Sequence, residues 1–301
     1  MKTIDEIIEA ARKAGKKRIA VAAAQESSAL EAAVDAAKHG IAEPILIGDS
    51  AAIKQVAADL KLDISPYKII EEKDYGKAAA KAVELVKAGE ADMVMKGILD
   101  TSVLLKAVLN KENGLNAGRL TSHVAVMQVP TYHKLLLVTD AAINIAPDLQ
   151  GKIDMISNAV QVAKAIGVDN PKVALLAAVE KVNPDKMPCT ADAAVLTQMN
   201  RRGQIKGCII DGPLALDNAV SKEIARIKKI VSEVAGDADV LMTPDIEAGN
   251  VLYKCLLDLA QARGAGIVVG AAKPVVLTSR ADTADTKLAS IALAALTAGN
   301  S

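Results

Sequence analysis

Short runs of branched apolar residues alternate with helical patterns along almost the whole chain, and no other feature constrains its fold more. Residues 18–23 (RIAVAA), 44–47, 68–70 and 93–95 read as buried strands. Helical patterns cover 29–39, 51–60, 75–88 and 102–109, the first stopped by Gly40. Strands separated by helices pair in parallel, because a parallel pair needs a long crossover connection. The class is therefore α/β, a mostly parallel sheet covered by helices. Residues 123–129 and 135–139 break the pattern. They lie too close for a crossover and read as an antiparallel hairpin.

The loop-rich stretch NIAPDLQG (144–151) interrupts the alternation, which then restarts. Helical patterns at 153–166, 191–201, 222–234 and 250–262 alternate with strands at 173–177, 207–211 and 239–242. Strands at 267–269 and 275–277 follow, then a helix over 283–297. This predicts two α/β/α domains: 1–143 plus 282–301, and 144–281, with an active-site cleft between them. The aliphatic core is ample, since 51% of the 301 residues are hydrophobic although aromatics are only 1%. Base stacking on aromatic platforms is thereby nearly excluded. Lys+Arg and Asp+Glu both number 36 with no basic face, so nucleic acid is not an expected partner. No apolar run approaches the roughly 18–20 residues of a membrane span. The N-terminus is an amphipathic charged helix, so a cytoplasmic protein is expected. Cys189, Cys208 and Cys255 form no CxxC, and the three histidines have no ligand spacing, so no metal site is predicted.

Polar turns recur where strands hand over to helices, the place where α/β proteins bind ligands. In LTSRADTADTK (277–287), Ser279 and Arg280 follow a buried strand. An arginine there can grip phosphate or carboxylate in bidentate fashion, or simply sit beside a helix cap. Asp282 can act as that cap, with Asp285 at the third helical position. In KGILDTS (96–102), Lys96 and Gly97 leave a strand while Thr101 and Ser102 open a helix. Glycine admits a ligand to the backbone and the hydroxyls lie beside free N–H groups, although a plain cap would also suit the pattern. Asp211 before Gly212-Pro213 reads as a strand-end carboxylate on a fixed turn. Asp245 and Asn250, in TPDIEAGN, repeat the arrangement. The glycines of GAGIVVG (264–270) run from helix to strand, the reverse of a dinucleotide fingerprint.

In this order the motifs resemble the phosphate acetyl/butyryltransferases, and within them the butyryl branch. The resembling segments are GILDTSVLLK (97–106), DAAIN (140–144), DGPLALDNAVS (211–221), TPDIEAGNVLYK (243–254) and PVVLTSRADTADTK (274–287). The resemblance implies reversible transfer of a short acyl group, butyryl favoured, between coenzyme A and inorganic phosphate. It implies butyryl-CoA or a related acyl-CoA as partner, no cofactor and a homo-oligomer. Carried over, Arg280 binds the phosphoryl group and Ser279 hydrogen-bonds the carbonyl or the thiol sulfur. Acetyltransferase relatives place an aspartate seven positions after that serine, where this chain has Thr286. The base then falls to Asp285 or Asp282. Where relatives carry an arginine in the helix after the glycine turn, Lys106 keeps the charge without the fork. The remaining readings are a phosphate acetyltransferase, a decarboxylating dehydrogenase of the isocitrate type and a non-catalytic acyl-CoA-binding protein.

Overall fold

The computed structural model describes residues 1–279 and 282–299. The chain forms two compact units, one of residues 4–119 and 265–301, the other of residues 1–3 and 120–264. The first unit opens with α1 (Ile4–Lys13), β1 (Lys17–Ala22), α2 (Ser27–Lys38), β2 (Ala42–Gly48) and α3 (Ser50–Asp59). It continues with β3 (Lys68–Glu71), α4 (Tyr75–Lys87), β4 (Met93–Lys96) and α5 (Thr101–Val108). Side-chain caps set the helix starts. Asp49 accepts the Ala51 and Ala52 amides at 3.0 and 3.1 Å, and Asp74 accepts that of Lys77 at 2.8 Å.

The second unit carries the hairpin β5 (Ser122–Gln128) and β6 (Leu136–Thr139), then α6 (Leu149–Ala165), β7 (Lys172–Leu176) and α7 (Pro188–Arg201). After them come β8 (Ile209–Leu214), α8 (Leu216–Val220), α9 (Lys222–Ile227), β9 (Val240–Met242) and α10 (Ile246–Lys254), which runs into a π-helical turn at Cys255–Leu259. Its strands lie in the order β5-β6-β9-β7-β8. The hairpin is antiparallel and the rest are parallel. The helix expected over 222–234 stops at Ile227, because Lys229 takes a positive φ of 56° and turns the chain. Residues 120–143, expected with the first domain, fall in the second unit because Leu137 of the hairpin pairs with Val240.

The chain then completes the first unit with β10 (Arg263–Val269), β11 (Val275–Val276) and α11 (Ala284–Gly299). Residues 265–279, expected with the second domain, belong here because β11 pairs in parallel with β4. The strand order is β3-β2-β1-β4-β11-β10, parallel except for β10. The connection from β1 through α2 steps outward to β2, whereas that from β3 through α4 returns across to β4. Right-handed crossovers in opposite directions put α2 and α4 on opposite faces. The last helix packs beside α1 and α2. From Ala289 to Ala298 it is buried at every position, as a helix apolar all round must be. Each fully buried Ile or Leu contributes about 1.5–3 kcal/mol relative to exposure.

Candidate active site

The crossovers diverge between β1 and β4, the switch point at which open α/β sheets bind ligands beyond the strands' carboxyl ends. Ala22 is in register with Lys96, and Met95 with Val276, so β1, β4 and β11 finish level. Three chain segments leave this edge for helices: 23–27 for α2, 97–100 for α5 and 277–283 for α11. Lys96, Gly97, Thr101, Ser102, Ser279, Asp282 and Asp285, all singled out from sequence, are thus gathered at one edge of the first unit. Lys106 is exposed on α5, one turn beyond Ser102 and on the same face.

Their local roles differ from the sequence expectation in two places. Gly97 was expected to admit a ligand. Instead, a Cβ there would come within 2.0 Å of the Ala23 carbonyl oxygen, so the glycine serves the close approach of two chain segments. Its amide and that of Ile98 donate to Ala22 and Ala23 at 2.8 and 3.0 Å. The buried Lys96 ammonium donates to the carbonyls of Gly97 and Leu99, at 3.2 and 3.3 Å, and so holds this loop from inside. The second difference concerns Asp282, which does not cap α11. Thr283 does, its hydroxyl accepting the Thr286 amide at 3.2 Å. Asp282 instead closes the turn before the helix. Its carboxylate accepts the Ser279 amide at 2.7 Å, while its own amide donates to the Ser279 carbonyl at 3.2 Å. Asp285 stands exposed in the first helical turn. Arg280 lies outside the described residues.

The same edge holds polar residues that sequence reasoning missed. Glu26 caps α2, accepting the Ser28 and Ala29 amides at 3.2 and 2.7 Å and the Ser28 hydroxyl at 2.7 Å. Burial works against its ionisation. The Ser28 hydroxyl, the Ala29 amide and the Lys287 charge outweigh burial and hold the carboxyl below its ordinary range. Lys287, buried on α11, donates to the Ser28 hydroxyl and to the Asp282 carbonyl. The Thr278 hydroxyl, directly before Ser279, is buried without a hydrogen-bond partner among the described residues. A Glu-x-Ser before a helical pattern was the available signal for the cap; nothing local pointed to Lys287.

The other predicted residues lie in the second unit. Asp211 is not on a turn after a strand: β8 runs through Asp211-Gly212-Pro213 to Leu214, which pairs with Leu176. The carboxylate lies 3.9 Å from Arg201 and lines a cavity of about 570 Å³ with Asn200 and Ile210. Asp245 caps α10 through the Ala248 amide at 2.9 Å. Asn250 donates to the Ala141 carbonyl at 2.9 Å. Buried Asp140 gathers the DAAIN loop by accepting the amides of Ala142, Ile143 and Asn144 at 2.7, 3.1 and 3.3 Å. A cavity of about 630 Å³, lined in part by Tyr132, His133, Leu252 and Leu256, contains none of the predicted site residues. Burial raises the Cys208 thiol to about 11, and it raises Cys189 as well. Cys255 is exposed on the π-helical turn. Among the described residues no cluster of three His, Cys, Asp or Glu could hold a metal, and no helix is long and apolar enough to cross a membrane.

The family described as phosphate acetyl/butaryl transferase matches residues 2–80 and 73–295. The chain is 52% identical over 300 residues to a phosphate butyryltransferase of Clostridium acetobutylicum, covering 100% of this chain and 99% of that protein. It is 46% identical over 293 residues to a phosphate acetyltransferase of Thermotoga maritima, covering 97% and 99%. The crystal structure of a branched-chain phosphotransacylase from Enterococcus faecalis superposes with a TM-score of 0.83 at 34% identity, over 94% of this chain and 99% of that one. The resemblance read from the motifs thus extends over the whole length, and the chain belongs to the phosphate acetyl/butyryltransferase family.

Proposed function

We infer that this enzyme is a phosphate acyltransferase that moves a short acyl group, butyryl in preference to acetyl, between coenzyme A and inorganic phosphate. The observation that carries the site assignment is the edge of β1, β4 and β11. There the Ser279 turn, the first turns of α5 and α11 and the Thr278 hydroxyl, unpaired among the described residues, stand together. Helix N-termini offer amide donors and a positive dipole end to an anion, and a buried unpaired hydroxyl is a group that a ligand can satisfy.

In the acyl-phosphate direction, a phosphate oxygen attacks the thioester carbonyl carbon. The C–O bond forms, the tetrahedral oxyanion collapses, and the C–S bond breaks to release the coenzyme A thiolate, which takes a proton. In reverse, the base removes the thiol proton before sulfur attacks the acyl phosphate. Arg280 holds the phosphoryl group, and Ser279 donates to the carbonyl oxygen or sulfur. Asp285, exposed in the first turn of α11, is the base we favour. Thr101, Ser102 and Lys106 would face the anionic substrates from α5, while Lys96, singled out from sequence as a substrate contact, supports the loop before it from inside. Asp245 and Asn250 already hold the Ala248 amide and the Ala141 carbonyl, and Asp211 lies beside Arg201, so substrate contact at these three would come on top of a structural role. Direct transfer without an acyl-cysteine fits the raised Cys189 and Cys208 thiols. The same reading makes the enzyme a cytoplasmic homo-oligomer.

Thiol release from butyryl-CoA, measured with and without phosphate, tests the activity. Release that depends on phosphate is expected; equal release in its absence would sink the reading. Comparing kcat/KM for butyryl-CoA and acetyl-CoA tests the chain length, since each methylene in a pocket is worth about 1–3 kcal/mol.

A further inference from the structure

Lys287 is the one feature of this edge that neither local folding nor the proposed chemistry explains. Its side chain is 1% exposed. Among the described residues no carboxylate oxygen lies within ion-pair distance of its ammonium. Its partners are the Ser28 hydroxyl, 259 positions away, and the main-chain carbonyl of Asp282 at 3.1 Å. Ser28 passes the contact on, because its own proton goes to Glu26 at 2.7 Å. At its other end Asp282 holds the Ser279 amide through its carboxylate. A continuous set of hydrogen bonds therefore runs from the cap of α2, through the ammonium, to the backbone of Ser279.

This is a costly place for a lysine. Burying an ammonium without a directly paired carboxylate is unfavourable, and a packed apolar residue is often the more stable choice. Most of α11 beyond this point consists of such residues. A cation in the first turns of two helices also runs against both dipoles. Helix stability and core packing would each favour a methionine or leucine at this position. What the ammonium alone can do is grip the main-chain carbonyl of Asp282, which lies before the helix.

We propose that Lys287 is a positioning residue: its buried ammonium fixes the 279–282 turn to the first turn of α2 and thereby sets where Ser279 stands. The proposal rests on reading this turn as the site of acyl transfer. In this role Lys287 touches no substrate. It keeps the Ser279–Asp282 contact in one geometry, so that the Ser279 donor meets the phosphate at a fixed place. The fixed positive charge below the turn also favours an anion above it.

Lys287→Met, Lys287→Arg and Ser28→Ala test the proposal through phosphate-dependent thiol release from butyryl-CoA, each well below its own melting temperature. Lys287→Met should lower kcat at least tenfold and raise the KM for phosphate, with the KM for butyryl-CoA within about twofold of wild type. Lys287→Arg should restore part of kcat. Ser28→Ala should change the same two constants in the same direction, by about threefold or more. A folded Lys287→Met enzyme with wild-type kcat and phosphate KM overturns the proposal, whatever its melting temperature. If Lys287→Met does not fold, wild-type kinetics of Ser28→Ala overturn it. Hydrogen exchange at the Ser279 and Asp282 amides reads the turn independently of turnover. Faster exchange in the folded variants, with β4 unchanged, supports the positioning role, and unchanged exchange refutes it. Wild-type enzyme that releases no thiol with phosphate would instead refute the assignment of the site, leaving the exchange measurement to decide the role of Lys287.

Discussion

Two aspartates three positions apart illustrate how residue type and residue role separate. Asp282 and Asp285 have the same carboxylate, yet one accepts the Ser279 amide at 2.7 Å and the other stands exposed in the first turn of α11. Asp285→Asn should therefore lower kcat in both reaction directions with little change in melting temperature, since it removes a basic group at an exposed position and keeps the side chain's shape. Asp282→Asn should keep most activity, because its amide oxygen can still accept from Ser279, whereas Asp282→Ala should lose it with the turn. The opposite ranking in steady-state kinetics would move the base to Asp282. Arg280→Ala should raise the KM for phosphate about ten- to a hundredfold, the equivalent of losing roughly 1.5–3 kcal/mol of charge-assisted hydrogen bonding. Unchanged phosphate kinetics would remove Arg280 from the site. At this scale the motif was legible from the strand-to-helix setting and the family resemblance. The division of labour between the aspartates was not, because capping depends on backbone geometry that shifts by one residue, and Thr283 took the position expected of Asp282.

At the scale of elements, helix starts and close approaches set the geometry of the site. Thr283→Ala should cost about 1 kcal/mol by removing the cap of α11, with Thr283→Asn close to wild type, as read by urea denaturation. Gly97→Ala should be more harmful than an exchange at an exposed loop glycine. Its Cβ would be driven into the Ala22 and Ala23 carbonyls, and overpacking of this kind costs about 1–3 kcal/mol. A lower melting temperature together with impaired turnover is expected, since the same loop leads into α5. The alternation of strands and helices was readable because period and β-branching are properties of neighbouring residues. The passage of β8 through Asp211-Gly212-Pro213 was not. Glycine and proline usually signal a turn, and only pairing with β7 carries the strand past them.

For the molecule as a whole, charges far apart in sequence tie strand ends together. Asp237 lies before β9 and accepts from Lys172 at the start of β7 at 2.6 Å. It also pairs with His133 at 2.8 Å and with Lys134 at 3.2 Å, both in the hairpin connection. Burial opposes its ionisation, but these three partners together hold the carboxyl well below the ordinary carboxylate range. A lowered folded-state pKa stabilises the protein above the unfolded value, near 4, and the stabilisation is lost as pH falls below that value toward the folded one. Wild-type stability should accordingly decline below about pH 4. Asp237→Asn should be about 1.5–3 kcal/mol less stable at pH 7 and show a shallower decline in acid. Denaturation curves at several pH values check this, and an identical pH dependence in the two proteins would show that Asp237 contributes little.

By itself the sequence determined the α/β class, the antiparallel hairpin and the family, and it named the segments proposed for the site, because each of these is written in local periodicity or in a short motif. Tertiary structure decided which strands lie side by side, that residues 120–143 join the second unit, and that Ser28 and Lys287 meet beneath the Ser279 turn. The physical reason is common to all three. Pairing, register and the burial of an ammonium depend on free energies between segments up to 259 residues apart, and neither residue spacing nor propensity carries that information.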